Sequence, residues 1–246
     1  MGLFFVQLFK HFTNYFVLVQ RLYFMKNLFS VLFFAPFLAF ASCDSSETEP
    51  ISILDHPADT IGLQPVIEIN TEGLSTAYFA SGCFWCVEAI YESVNGVSEA
   101  ISGYSGGKEE NPTYHNLGSH AETVKVLYDS SIIDFPTLVK VYYGSQDATT
   151  FGQSPDFGEH YRSIIFFQNA TEKQQAEKHK ARLKEIGKYI KPIVTEIKEF
   201  EVFYEAEAYH QNYEKLNPEQ SYVKGVSIPR LNKFKEKFPE LLKAKK

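Results

Sequence analysis

Thr76-Ala77-Tyr78-Phe79-Ala80-Ser81-Gly82-Cys83-Phe84-Trp85-Cys86-Val87-Glu88-Ala89-Ile90-Tyr91 changes its period part-way along. Up to Ala80 the residues suit a strand. Beyond Gly82 the apolar positions Val87, Ile90, Tyr91 and Val94 recur at i, i+3, i+4 and i+7, one face of a helix, and Gly82 allows the sharp turn between the two. Two of the chain's three cysteines therefore sit on the first helical turn, around its only tryptophan. A thiol there faces unpaired backbone N–H groups and the positive end of the helix dipole, which favour thiolate. Cys83 is placed to be a nucleophile. Cys86, one turn on and on the same side, can attack an oxidised or mixed-disulfide form of Cys83.

Downstream, Val97 to Tyr104 reads as a strand and is followed by a Gly-rich loop. Thr123 to Tyr128 alternates as a half-buried strand does. Pro136 opens a helix with Leu138, Val139 and Tyr142 inward. Ser163 to Gln168 is a nearly continuous apolar strand, Thr171 with Gln174 forms a capping box for a helix to Ile186, and Ile193 to Ile197 alternates again. The order β-α-β-β-α-β with a further helix and strand predicts an α/β fold. It is a two-layer sandwich of ferredoxin-like, split βαβ type, with helices on a mixed sheet and a long coil C-terminal region.

Upstream, residues 1–42 are rich in Phe, Leu and Val, contain no acidic residue and end in small residues, as a targeting segment does. Met25-Lys26-Asn27 and the apolar run to Ala35 make a secretory signal by themselves, so Met25 is a candidate initiator. Phe40-Ala41-Ser42-Cys43 resembles a lipoprotein processing site, with Cys43 as the lipidated residue, although Phe40 stands where Leu is usual. A lipid there would tether the chain to a membrane without spanning it. Residues 43–75, broken by Pro50, Pro57 and Pro65, read as a flexible tether. Residues 76–246 form the expected catalytic domain. Loss of the leader removes Lys10, Arg21 and Lys26, so 24 basic residues fall to 21 against 30 acidic, a net charge of −9. Nucleic acid is an improbable partner for so acidic a chain.

Three other chemistries compete for a Cys-x-x-Cys pair. Zinc would need about two more ligands at metal spacing, and no second cysteine pair exists. A structural disulfide one helical turn long would restrain the unfolded chain little. A thiol-disulfide exchange protein of thioredoxin-like type is the serious alternative. Phe84-Trp85 argues against it, because two bulky aromatics beside the nucleophile build a small apolar slot suited to a methyl group next to a polar atom.

The stretch Gly82-Cys83-Phe84-Trp85 with Glu88 resembles the hallmark of the type A peptide methionine sulfoxide reductases. So do Gly103-Tyr104-Ser105-Gly106-Gly107, Asn111-Pro112-Thr113-Tyr114, His120-Ala121-Glu122, Asp156 through Ser163, and Phe203 through Gln211, in order and approximate spacing. The resemblance, over roughly Thr76 to Tyr213, implies that Cys83 attacks a sulfoxide sulfur while Glu122, a buried and protonated acid, protonates the oxygen. It implies that Tyr114 and Tyr161 hydrogen-bond that oxygen, that Phe84 and Trp85 hold the methyl group, and that Asp156 orients the pocket. His120 and His160 are rim residues and Glu88 is structural. Many relatives have Gly at the position of Cys86 and recycle through C-terminal cysteines. None follows Cys86 here, which leaves Cys86 to resolve the sulfenic acid on Cys83 to a disulfide. The implied reductant is an external thioredoxin-like dithiol, with no cofactor and no metal. The implied substrates are proteins carrying methionine sulfoxide; the leader and Cys43 point separately to the periplasm, and a monomer is expected.

Overall fold

The computed structural model describes residues 72–244. The expected targeting segment, Cys43 and the expected tether as far as residue 71 lie outside the described residues. The elements are β1 (Ser75–Ala80), α1 (Phe84–Glu92), β2 (Val97–Ser105), β3 (Ala121–Tyr128), α2 (Phe135–Gly144), the short pair β4 (Gly152–Gln153) and β5 (Asp156–Phe157), and β6 (Ile164–Phe167). They continue with α3 (Ala170–Glu185), β7 (Glu196–Glu199), β8 (Phe203–Glu205), α4 (Tyr213–Leu216) and α5 (Ile228–Lys237).

Six strands form one sheet in the order β7-β6-β1-β3-β2-β8. All neighbours are antiparallel except β6 and β7. Its inner four strands with α1 and α2 are the expected split βαβ unit. Alternation along β1 assigns the faces: Ala77 and Phe79 join the main core with Ile90 and Tyr91 of α1, Leu138 and Val139 of α2 and Ala176 of α3. Tyr78 and Ala80 point the other way, into a smaller cluster closed by Phe200 and Phe203. Phe79 stacks on Tyr91 with ring centroids 5.0 Å apart, which fixes α1 over the strand that leads into it.

Three local readings shift. Helix α3 is capped by Asn169, whose side chain accepts the Glu172 N–H, rather than by Thr171; Glu172 in turn accepts the Gln168 N–H at 2.7 Å. Parallel pairing with β6 moves the penultimate strand on to Glu196–Glu199. The pair β4 and β5, which carries Asp156, has no counterpart among the expected strands.

The C-terminal region is largely irregular but firmly held. The Gln211 side-chain amide pairs with both backbone groups of Ser102, extending the edge of β2 beyond β8. Phe234 of α5 is buried in the main core, with Leu231 and Val226 packed against it, and Lys243 N–H donates to Ser93 O at the end of α1. Leu138 lies at the centre of this core with no exposed surface. Leu138→Ala is expected to cost about 3 kcal/mol of stability in a urea titration with the slope unchanged.

Candidate active site

The turn between β1 and α1 requires glycine twice over. Gly82 has φ +82°, and a Cβ there would stand 2.9 Å from Cγ of Gln153. Its N–H donates to Tyr161 O at 3.1 Å, bringing the segment of Tyr161 against the turn. Cys83 is the N-cap of α1 and makes no side-chain capping bond. Cys86 stands one turn on. Both thiols are free, and both are buried, at 6% and 1% exposure.

Glu122, near the start of β3, is 3% exposed and accepts the Phe84 N–H, the first helical amide after Cys83, at 2.9 Å. Burial outweighs that hydrogen bond and raises its pKa to about 8, with the charges of Asp156 and Cys86 adding to the rise. At neutral pH it is a protonated acid one residue from the thiol.

The two sulfurs differ from what a helix dipole alone suggests. Burial, together with Cys86 and Glu122, pushes the Cys83 thiol well up. Cys86 falls to about 6, because Cys83 donates to it and because Arg230, Ser227 and Tyr222 favour its anion. Once the pair loses its first proton, the one that remains lies between the two sulfurs, donated by Cys83 to Cys86. Tyr222 stands over Cys86, its hydroxyl 3.9 Å from Sγ, and that hydroxyl donates to Asp156 Oδ2. Asp156 thus reaches the cysteines through Tyr222.

The aromatic residues form a connected wall. Trp85 is half-buried, stacks on Tyr213 with centroids 3.8 Å apart, and donates its indole N–H to His210 Nδ1 at 3.2 Å. Phe84 is buried against Trp85, Tyr104, Tyr114 and His210. Tyr114 is held by its backbone N–H, which donates to Glu207 at 3.0 Å, while Tyr104 donates its hydroxyl to the same carboxylate at 2.8 Å. Burial and the charge of Glu122 raise the hydroxyls of Tyr114 and Tyr161, so both stay protonated donors across the neutral range.

The remaining sequence candidates are structural. His120 accepts the Gly107 N–H on Nδ1 and bonds Glu109 O through Nε2, clamping the Gly-rich loop. His160 lies against His120 O. Glu88, raised to about 8 by burial, accepts from Ser102 and from the Asn212 N–H, tying α1 to β2 and the C-terminal region. Tyr222, Ser227, Arg230, Glu207, Tyr213 and the hydrogen-bonding role of His210 went unassigned in the sequence. Only the Phe203 to Gln211 motif pointed toward any of them. Among the described residues no group of three His, Cys, Asp or Glu side chains could hold a metal ion.

A family model described as peptide methionine sulfoxide reductase matches residues 75–242. The chain is 42% identical over 171 residues to a peptide methionine sulfoxide reductase MsrA of Natronomonas pharaonis, covering 68% of this chain and 96% of the relative. It is 40% identical over 176 residues to that of Saccharolobus solfataricus, covering 69% and 98%. Among solved structures it resembles reduced Mxr1 from Saccharomyces cerevisiae, with TM-score 0.56, 26% identity, and coverage of 63% of this chain and 92% of that one. It also resembles methionine sulfoxide reductase A of Corynebacterium diphtheriae, with TM-score 0.52, 31% identity, and coverage of 59% and 76%.

Proposed function

This chain belongs to the peptide methionine sulfoxide reductase family, and from that membership we propose that it reduces the S-epimer of methionine sulfoxide, in proteins and free, through Cys83. The observation that carries the reading is a neutral carboxylic acid, Glu122, hydrogen-bonded to the amide next to a buried nucleophilic thiol.

In the first half of the cycle the Cys83 sulfur bonds to the sulfoxide sulfur. Glu122 gives its proton to the sulfoxide oxygen, and Tyr114 and Tyr161 donate hydrogen bonds to it as charge builds there. Phe84 and Trp85 hold the methyl group. The oxygen passes to Cys83 as a sulfenic acid and methionine leaves with the electron pair. In the second half the Cys86 sulfur attacks the Cys83 sulfur, the S–S bond forms, the S–O bond breaks, and the departing hydroxide takes a proton, from the Cys86 thiol or from solvent when Cys86 is already ionised, and leaves as water. The two thiols supply both electrons. An external thioredoxin-like dithiol restores them.

The leader and Cys43 support an exported, lipid-anchored location in the periplasm, where the domain would repair exported proteins as a monomer. The purified protein should consume dithiothreitol only when given the S-sulfoxide. Insulin reduction without a sulfoxide would favour simple thiol-disulfide exchange instead. Cys86→Ser should give a stoichiometric burst of methionine and a trapped sulfenic acid, detected by dimedone labelling and mass spectrometry. Undiminished multiple turnover with a protein dithiol would remove Cys86 from the resolving role.

A further inference from the structure

We propose that His210 is a positioning residue for the first half of the cycle: as a neutral ring it accepts the Trp85 indole N–H, fixes that ring in the methyl slot, and releases it when protonated. The inference rests on the reading of Trp85 as a wall of that slot.

An indole N–H can only donate. The contact of 3.2 Å between Trp85 Nε1 and His210 Nδ1 therefore leaves Nδ1 without a hydrogen, and the one proton of the neutral ring sits on Nε2. His210 is 1% exposed, and its Nε2 has no hydrogen-bond partner among the described residues. The Glu207 carboxylate stands 3.9 Å away and is already taken up by the Tyr104 hydroxyl and the Tyr114 N–H. Among the described residues, the bond to Trp85 is thus the ring's only side-chain hydrogen bond.

The imidazole has a firm base. His210 ends a short turn, Ala208–His210, in which its own N–H donates to Glu207 O at 2.8 Å, and the next residue, Gln211, is pinned to both backbone groups of Ser102. The acceptor is therefore anchored to β2 while the indole rides on α1. Stacking on Tyr213, with planes 10° apart, sets the tilt of the indole but not its rotation in the plane. The bond to Nδ1 sets that rotation. The imidazole centroid also lies 5.0 Å from Phe84 and 4.5 Å from Tyr114, where the methyl slot meets a donor to the sulfoxide oxygen.

A second proton could go only to Nδ1, where it would confront the indole N–H, so the imidazolium and this bond exclude one another. The groups facing the ring are Phe84 and Trp85 from α1, Tyr114 and His115 from the loop between β2 and β3, and Glu207 and Tyr209 beside it. Burial, aided by His115 and outweighing Glu207, keeps the ring less basic than an ordinary histidine. The bond holds through the neutral range and opens on the acid side.

The chain's single tryptophan gives one indole N–H signal in a proton–nitrogen NMR spectrum, and its chemical shift reads the bond directly. The test follows that signal with pH, beside KM and kcat for the S-sulfoxide, in wild type, H210N and H210L. Asparagine sets an amide oxygen near the Nδ1 position and does not titrate; leucine removes the acceptor. In wild type the downfield indole signal should move upfield as pH falls below the ordinary histidine range, and KM should rise over the same span. H210N should keep the downfield signal and lack both transitions. H210L should show the upfield signal at every pH and a KM raised about threefold to tenfold, the net worth of one hydrogen bond. A purely structural role would lower both melting temperatures and leave the indole signal and KM where they are. An unmoved indole signal in folded H210L overturns the bond, and a moved signal with wild-type KM overturns the positioning role when Trp85→Phe itself raises KM. A wild-type KM in Trp85→Phe overturns the underlying methyl-slot reading instead.

Discussion

Cys83→Ser is expected to abolish sulfoxide-dependent turnover, a loss of at least about four orders of magnitude, in a protein that stays folded. The substitution is nearly isosteric and sits at an N-cap where Cys83 makes no capping bond. Serine is a favoured N-cap, so α1 should hold or gain stability, and unfolding cannot explain the loss. The hydroxyl cannot form a sulfenic acid. The test matters because Cys86, at about 6, is the more acidic of the two thiols, and acidity alone would name it as the attacking group. Position argues otherwise. Cys86 is 1% exposed and lies beneath Tyr222, whereas Cys83 adjoins Glu122 through the Phe84 amide. Stoichiometric methionine from Cys83→Ser in a single-turnover chromatographic assay would give the attack to Cys86 and reverse the assignment. The raised Cys83 thiol has a further consequence: the substrate-free enzyme should alkylate there more slowly at neutral pH than a free cysteine does. Ionisation then accompanies attack.

The strand-turn-helix around Gly82 was legible because its period changes within a few residues and glycine marks the turn. The β-α-β-β-α-β order was legible for the same reason. Where readings slipped, two local solutions had equal merit. Asn169 with Glu172 and Thr171 with Gln174 both fit a capping pattern, and only the end of β6 decides between them. Glu122 was not legible by chemistry, since a carboxylate just before a strand reads as a solvated edge charge. Its burial comes from the start of α1 closing over β3, and the family resemblance alone marked it. Tyr222, Ser227 and Arg230 lie in a stretch with no motif of its own. They acquire their roles from packing against the turn that carries the cysteines, well over a hundred residues earlier, which no local pattern records. The expectation of a dipole-stabilised Cys83 thiolate omitted burial and the second sulfur, which dominate and push the thiol up.

Glu122→Gln should cost activity and add stability together. The amide oxygen can still accept the Phe84 N–H, so the turn keeps its geometry while the transferable proton is lost. The expected rate loss is about 10²–10⁴-fold. Wild-type activity should also fall as pH rises through about 8, where Glu122 ionises, while the variant's low rate loses that limb. The stability effect follows from the same raised pKa. Between its ordinary value of 4.5 and about 8, the folded protein holds a proton on Glu122 that the unfolded chain has released. Folded-state stability from this site is therefore fully present below 4.5 and is lost as pH rises toward 8, at about 1.4 kcal/mol per pH unit for one proton. Glutamine removes that slope, while Glu88, also raised to about 8, retains its own. Urea midpoints of the two proteins should diverge in the variant's favour across this window and stop diverging above it. A constant gap would mean that Glu122 is ionised in the folded state and has no proton to give. A wild-type rate in the variant would mean that the proton comes from elsewhere, with Tyr161 and Tyr114 the remaining donors beside the thiol.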